Sequence, residues 1–128
     1  MEKPLVIYHK ISDSRDCTDG FAAAFIFWLH FKNQAEYFPA FYYNRIPLDF
    51  FKDRDVVFID FSCPADYMDE IFRVANSMRV LDHHKTSMLE IGTRPYAQIE
   101  LDKCGAQMAW EYLFADQPLP KLFHHIRD

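Results

Sequence analysis

Short apolar runs alternate with longer amphipathic segments along most of the chain. The runs at residues 5–8, 56–59 and 80–81 have the length of buried strands, and two weaker strand patterns lie at 37–42 and 96–101. Between them, residues 20–31, 64–75 and 104–114 carry apolar side chains at helical spacing. Strands that alternate with helices indicate a parallel sheet. We therefore predict an α/β fold, with a mostly parallel five-stranded sheet and helices on both faces, in one domain over residues 1–128.

Local sequence signals add detail to this fold. Pro39 interrupts the second strand, and a proline in a strand favours an edge position. Residues 11–18 are polar and predict a loop, and Pro64 predicts the first position of a helix. Residues 21–29 are apolar on nearly all sides, so we expect this helix to be buried on more than one face. The apolar side chains expected on one face of the second helix are Met68, Ile71, Phe72 and Ala75.

Acidic and histidine side chains follow the predicted strands. In a parallel sheet with right-handed crossovers, the carboxyl ends of all strands lie at one edge, where ligands bind. We call this the carboxyl edge. An aspartate at the start of the first helix, Asp19, is expected to reach it as well. The residues that directly follow a predicted strand are His9, Asp60, Asp82, His83, His84 and Asp102.

Several carboxylates in a small site raise each other's pKa unless a cation compensates them. Oxygen ligands with one or two imidazoles suit Mn²⁺, and Mg²⁺, Fe²⁺ or Co²⁺ are alternatives. Two such ions about 3.5–4 Å apart can activate water and stabilise phosphoryl transfer. Asp60 ends the most central strand and is the predicted bridge between two ions. Taken singly, Asp19 and Asp102 could instead be ordinary helix caps, and His124 a solvated residue of the tail.

Composition excludes several other classes. The formal net charge of −5 disfavours nucleic-acid binding through bulk electrostatics. The three Gly residues are too few and too scattered for a P-loop or a dinucleotide-binding fingerprint. The three Cys residues form no CxxC pair, which predicts no disulfide framework and a cytoplasmic location. No apolar stretch has the length of a membrane span, so no membrane partner is expected.

Four ordered motifs resemble those of the DHH phosphoesterase family, and the resemblance extends over the whole chain. Members of this family hydrolyse phosphodiesters or phosphoanhydrides, in oligonucleotides, cyclic dinucleotides, pyrophosphate or polyphosphate, with two Mn²⁺ ions and a metal-bound water. The resemblance therefore implies a phosphate-containing small molecule or a short oligonucleotide as substrate. The motifs in chain order are His9 with Asp19-Gly20, Val57-Phe58-Ile59-Asp60, Val80-Leu81-Asp82-His83-His84, and Asp102 with Gly105-Ala106.

The resemblance also implies a role for each residue. His84 would face the substrate phosphate as hydrogen-bond donor or acid, and Asp82 would orient a histidine rather than bind metal. The residues implied as metal ligands are His9, Asp19, Asp60, His83 and Asp102, with Asp60 as the bridge.

The chain departs from the family pattern in two ways. Asp19 lies ten residues beyond His9, an expanded spacing for the first motif, so Asp13 and Asp16 are alternative carboxylates at this position. The family's second domain, which grips the substrate, has no counterpart after the last motif. This leaves an alternative to the enzyme: a catalytically incomplete core that acts as a metal-binding, nucleotide-binding or interaction module. We would then expect an exposed apolar surface suited to a homodimer.

Overall fold

A parallel sheet organises the molecule. The structure is a computed structural model that describes residues 3–12, 15–16, 18–40 and 45–124. The strands are β1 (Leu5–Ser12), β2 (Arg15–Asp16), β3 (Glu36–Ala40), β4 (Asp55–Ile59), β5 (Ser77–Asp82) and β6 (Ala97–Ile99). Five of them are parallel in the order β3-β1-β4-β5-β6, and β2 pairs antiparallel with β1. The predicted five-stranded parallel sheet is confirmed, with β4 at its centre.

Helices cover both faces of the sheet. The helices are α1 (Thr18–Phe31), α2 (Ala65–Val74), α3 (Lys85–Ile91) and α4 (Gly105–Leu113). Because successive strand residues point to opposite faces, Val6 packs with α1 and α4, whereas Leu5 packs with α2 and α3. Helices on both faces were predicted, but α3 was not recognised from the sequence. Within the described ranges, no helix combines the length and apolar character needed to cross a membrane.

The strand β3 lies at an edge of the sheet, as Pro39 predicts. Among the described residues it pairs only with β1, where Tyr8 lies opposite Pro39. The predicted loop at 11–18 was partly wrong. Strand β1 continues to Ser12, and Lys10 and Ser12 pair antiparallel with β2. Backbone pairing in this short hairpin does not require apolar side chains, so the polar composition hid it.

The prediction that helix α1 is buried on more than one face was wrong in part. Ala23 and Phe27 are fully buried against the sheet and α4, but Phe21 is 53%, Phe25 39% and Trp28 40% exposed. These three aromatic residues, which we call the aromatic stripe, lie on the solvent side of α1. A single face of the sheet can bury only one side of a helix, and a segment that is apolar all round gives no sign of which side that is.

Helix α2 also differs from its prediction in detail. Pro64 precedes the helix as its N-cap instead of occupying the first helical position. Met68 and Ile71 are fully buried, whereas Phe72 is 40% exposed and contacts the ring of Tyr96. The predicted apolar face is therefore confirmed at its centre, and Phe72 lies at its margin because the sheet ends beneath it.

Candidate metal centre

Asp60 lies where the central strand β4 ends. Its side chain is fully buried, and its φ of 72° places the backbone in the left-handed region, which is uncommon for a residue other than glycine. The amide nitrogen of Asp60 donates to the carbonyl oxygen of Leu81 at 2.8 Å, so strand pairing holds this conformation. Backbone strain of this kind concentrates at functional sites.

Two glycines allow helices to approach Asp60 closely. A Cβ on Gly105 would lie 2.8 Å from Oδ1 of Asp60, too close for any side chain. A Cβ on Gly20 would lie 3.3 Å from Oδ2 of Asp60 and 2.7 Å from the carbonyl oxygen of His9. Helices α1 and α4 therefore both begin against this carboxylate, and their N-terminal dipoles favour negative charge there.

His83 joins two carboxylates. Its Nε2 atom is 2.7 Å from Oδ1 of Asp60 and 3.2 Å from Oδ2 of Asp19. All three side chains are buried, so two acids and one imidazole share a space from which bulk water is largely excluded.

Asp19 is held by the backbone of a distant helix. The amides of Gly105 and Ala106, in the first turn of α4, donate to its two carboxylate oxygens at 2.7 and 2.9 Å. Burial by itself would raise the pKa of Asp19, but its contacts with His83, with Asp60 and with these amides outweigh burial and hold that pKa below its usual value. Asp19 therefore remains acidic although it is buried, and it caps α4 rather than its own helix.

The donor atoms fit a hard or borderline divalent ion. Adjacent ligands of an octahedral ion, each about 2.1 Å from the metal, lie roughly 3 Å apart. The separations of 2.7 and 3.2 Å from Nε2 of His83 to the two carboxylates match this spacing. Carboxylate oxygens with one imidazole suit Mn²⁺, Mg²⁺ or Co²⁺ more than a soft metal. A second set, which shares Asp60 and His83 but does not include Asp19, offers ligand atoms that all lie within 4.8 Å of one another: Asp60, Asp82, His83 and His84.

Within this set, Asp82 makes hydrogen bonds through both of its oxygens. Oδ1 accepts from the amide of His83 at 2.8 Å and contacts Nδ1 of His84 at 2.7 Å. Oδ2 accepts from the hydroxyl of Ser87. These contacts place Asp82 behind the two histidines, the position expected of a residue that orients them.

His84 connects this buried group to solvent. Its hydrogen bond to Asp82 raises its pKa, and burial opposes this only in part. Its ring lines an open pocket of about 370 Å³. His83, Lys85 and Lys103 line the same pocket. A ligand that entered the pocket would meet a histidine with an increased tendency to carry a proton.

Two other predicted ligands, His9 and Asp102, lie at the same edge of the sheet but outside the group of ligand atoms described above. His9 follows the last β1–β4 pair, Tyr8 with Ile59, so it is level with Asp60 on the adjacent strand. Asp102 is exposed and lines the pocket with His83 and His84. Among the described residues, neither belongs to the set within 4.8 Å. Asp13 lies outside the described residues, and of Asp16 only the backbone, in β2, is described.

Two serines at the site were not recognised from the sequence. Ser62 donates to Ser87 at 2.9 Å, and Ser87 donates to Asp82. Serines are too common for their type to carry a signal, and only the fold brings these two together. Cys63 and Cys104 lie nearby, but burial raises the pKa of Cys63 to about 11 and also raises that of Cys104. Both thiols are therefore protonated at neutral pH and poor metal ligands.

Comparisons with known proteins find a sequence relative and a protein of similar fold, both uncharacterized. No protein-family profile matches the chain. It is 34% identical over 140 residues to uncharacterized protein R106 of Acanthamoeba polyphaga mimivirus, an alignment that covers 97% of this chain and 32% of that protein. The chain thus spans about a third of the length of this relative. An uncharacterized protein from Helicobacter pylori G27 has a similar fold, with a TM-score of 0.63 and 12% identity over 94% of this chain and 39% of the other.

Proposed function

We propose that this chain is a metal-dependent phosphohydrolase domain of the DHH type, which cleaves a phosphodiester or phosphoanhydride. The observation that carries the proposal is the contact of Nε2 of His83 with Asp60 at 2.7 Å and with Asp19 at 3.2 Å, at the carboxyl edge of a parallel sheet. Ligand sites of open α/β sheets lie at this edge. The four sequence motifs support the same assignment.

Asp19, Asp60 and His83 hold the metal in this proposal, and Mn²⁺ is the proposed ion, with Mg²⁺ or Co²⁺ as alternatives. A second ion would be held by Asp60 together with His9, Asp102 and one carboxylate of the expanded first motif. Bound divalent ions would lower the pKa of a water molecule and stabilise charge on the phosphoryl oxygens. His84 donates a hydrogen bond to the substrate phosphate, and Asp82 keeps its ring in place.

The pocket beside His84 supports a phosphate-bearing substrate. Lys85 and Lys103 both line it; Lys103 is paired with Glu100 and Glu111, so Lys85 is the lysine whose charge faces a ligand, in a chain whose net charge is −5. Its volume of about 370 Å³ is at the small end of the range for ligand pockets. A nucleotide, a short oligonucleotide or a polyphosphate segment is the proposed substrate class.

An alternative is a core without activity that acts as a metal-binding, nucleotide-binding or interaction module. The aromatic stripe favours it, because exposed Phe21, Phe25 and Trp28 side chains are typical of a contact surface. The chain also spans about a third of the relative from mimivirus, so further parts of a larger protein, or a second copy, could supply the surface that covers the stripe.

A reducing cytoplasm is the proposed location. Cys63 and Cys104, the two cysteines within the described residues, are free and buried. Thiols that are neither paired nor exposed are typical of proteins from a reducing compartment.

The proposal is tested by the hydrolysis of bis-para-nitrophenyl phosphate with added Mn²⁺. Asp60→Asn removes the central charge but tolerates the left-handed backbone, because asparagine adopts positive φ more readily than most residues. We expect an activity loss of at least about 100-fold, since even partners that only orient metal ligands cost about 10–100-fold. Asp55→Asn, which changes an exposed aspartate at the other end of the same strand, is the matched control.

The outcomes separate the candidates. Mn²⁺-dependent hydrolysis by the wild type and by Asp55→Asn, with loss in Asp60→Asn, supports the enzyme. Mn²⁺ binding that needs Asp60, without hydrolysis of any phosphodiester or phosphoanhydride, supports the module instead. Measurable hydrolysis at equal rates in the wild type and Asp60→Asn contradicts the role of Asp60 in the enzyme and also the inactive module.

A further inference from the structure

We propose that Ser87, supported by Ser62, is a positioning residue that fixes the Asp82 carboxylate and through it the ring of His84. This inference rests on the proposed function of the same site. Four side chains form one hydrogen-bonded series in the order Ser62, Ser87, Asp82 and His84. The Oγ–Oγ distance between the serines is 2.9 Å, and the distance from Oδ1 of Asp82 to Nδ1 of His84 is 2.7 Å.

Each donor and acceptor in the series has a defined direction. A carboxylate can only accept, so Nδ1 of His84 carries the hydrogen that it shares with Asp82. Ser87 gives its hydrogen to Asp82 and receives one from Ser62. With Nδ1 engaged by Asp82, Nε2 is the ring nitrogen of His84 that would act on a ligand, as a base when neutral and as a donor when protonated.

Ser87 determines the plane of the carboxylate. Oδ1 of Asp82 serves both His83 and His84, whereas Oδ2 accepts from Ser87. When Ser87 loses its hydroxyl, Oδ2 of Asp82 loses its hydrogen bond to Ser87, whereas Oδ1 keeps its contacts with His83 and His84. The carboxylate could then rotate about its Cβ–Cγ bond, and the ring of His84 would follow it.

The hydrogen bonds of this series lie inside the protein. Ser62 is 8%, Ser87 6% and Asp82 0% exposed, and the two serines line an open pocket of about 280 Å³, so the carboxylate of Asp82 itself is the group from which bulk water is excluded. The three residues come from separate segments, since Ser62 follows β4, Asp82 ends β5 and Ser87 lies in the first turn of α3. The series therefore links the position of α3 to the orientation of His84.

A general structural hydrogen bond is the competing explanation, and the chain offers a matched control for it. Ser77 donates to Oδ1 of Asp55 at 2.7 Å, at the amino end of strand β5. Ser77→Ala removes a serine–aspartate hydrogen bond of the same kind far from the pocket. Because the Ser77 bond is exposed and the Ser87 bond is buried, a difference in stability between the two variants is expected in any case, and only a difference in the Nδ1 signal of His84 or in kcat is attributed to the site.

The experiment compares Ser87→Ala, Ser62→Ala, Ser87→Thr and Ser77→Ala with the wild type. Two readouts are used: the ¹⁵N and ¹H NMR signals of Nδ1 of His84 without metal, and kcat and KM for bis-para-nitrophenyl phosphate with Mn²⁺. We expect Ser87→Ala to lose the hydrogen-bonded Nδ1 proton signal and to lower kcat by about 10–100-fold, as for other partners that orient site histidines. KM should change little, Ser62→Ala should show a smaller effect in the same direction, and Ser87→Thr should recover both signal and rate.

The proposal is overturned if the Nδ1 signal of His84 is the same in the wild type and Ser87→Ala, or if Ser77→Ala lowers kcat equally. Should Ser87→Ala fail to fold, Ser62→Ala and Ser87→Thr decide on the same two readouts. If the wild type hydrolyses no phosphoester, the proposed function fails while the NMR comparison still decides whether Ser87 positions His84.

Discussion

The two ends of the parallel sheet carry similar residues in different surroundings. At the amino end, Asp55 accepts hydrogen bonds from Asn76 and Ser77, each at 2.7 Å. At the carboxyl end, Asp82 accepts from Ser87 and contacts His84. The first group is exposed, whereas Asp82 is fully buried. The hydrogen-bond chemistry is alike, and burial is what differs.

Burial changes what these polar groups cost. Water can replace a lost partner at the exposed amino end, so that network contributes little to stability. At the carboxyl end, Asp19, Asp60 and His83 are removed from water and held together, which is expensive unless partners or a bound cation compensate. A buried polar group at the edge where ligands bind is typical of a functional site, and this contrast is the main physical support for the proposed metal centre.

After the loss of Asp60 itself, the largest expected effect comes from closing the space beside it. Gly105→Ala would place a Cβ 2.8 Å from Oδ1 of Asp60, so the carboxylate or the start of α4 must shift. We expect Mn²⁺ affinity to fall by about 10–100-fold, comparable to the loss of a partner that orients a ligand. Isothermal titration calorimetry measures it.

Gly92→Ala is the matched control for this change. Its Cβ would collide with the carbonyl oxygen of Met88 at the end of α3, so stability should fall while Mn²⁺ affinity stays unchanged. If both glycine variants bound Mn²⁺ like the wild type, the contact of Gly105 with Asp60 would have no role in the site.

A smaller effect should separate the two lysines of the pocket. Lys85 is exposed at the start of α3, whereas Lys103 is paired with Glu100 at 3.0 Å and with Glu111 at 2.5 Å. Lys85→Ala should raise KM for an anionic substrate by about fivefold and leave kcat nearly unchanged. The reason is that an exposed charge pair contributes at most roughly 1 kcal/mol, which corresponds to about fivefold in affinity. Steady-state kinetics at two salt concentrations check this. A larger rise in KM for Lys103→Ala than for Lys85→Ala would mean that Lys103 is the lysine that attracts the substrate.

The smallest effect concerns acid stability at the amino end. Hydrogen bonds from Ser77 and then Asn76 hold the pKa of Asp55 below its reference value of 3.8. A depressed pKa in the folded state stabilises the protein above pH 3.8, and this contribution is lost as the pH falls through the lower folded value. Because Asp55 is exposed, Asp55→Asn should change the free energy of unfolding by only a few tenths of a kcal/mol at pH 7.

Urea denaturation of the metal-free protein at pH 7 and at about pH 2.5, below the reference pKa of 3.8, checks this last prediction. The wild type and Asp55→Asn should lose almost equal stability between the two values. A much smaller acid loss in Asp55→Asn would mean that the exposed network matters as much as the buried one.

The placement of the site could be predicted from sequence because it depends on strand order alone. Apolar runs that stop at Asp60 and Asp82 mark strand ends, and parallel pairing then brings those ends to one edge. The contact between His83 and Asp60 follows from this rule. The link between Asp19 and the start of α4 does not, because it joins residues 86 positions apart whose pairing has no local signal.

Other features depend on packing that composition does not encode. Helix α3 is only seven residues long and has no strong apolar repeat, since only Ser87 and Ile91 are buried in it. The exposure of the aromatic stripe depends on how many sides of α1 the sheet and α4 can cover. The serine pair Ser62 and Ser87 is brought together by the same unrecognised helix.

The most direct test of the central claim is a Mn²⁺ titration followed by the EPR signal of free Mn²⁺, with the wild type, Asp60→Asn and Asp55→Asn. If the carboxyl edge is a metal centre, the wild type and Asp55→Asn bind Mn²⁺ with equal affinity, and Asp60→Asn binds at least about 10–100-fold more weakly. Equal Mn²⁺ binding by Asp60→Asn and the wild type would contradict the account.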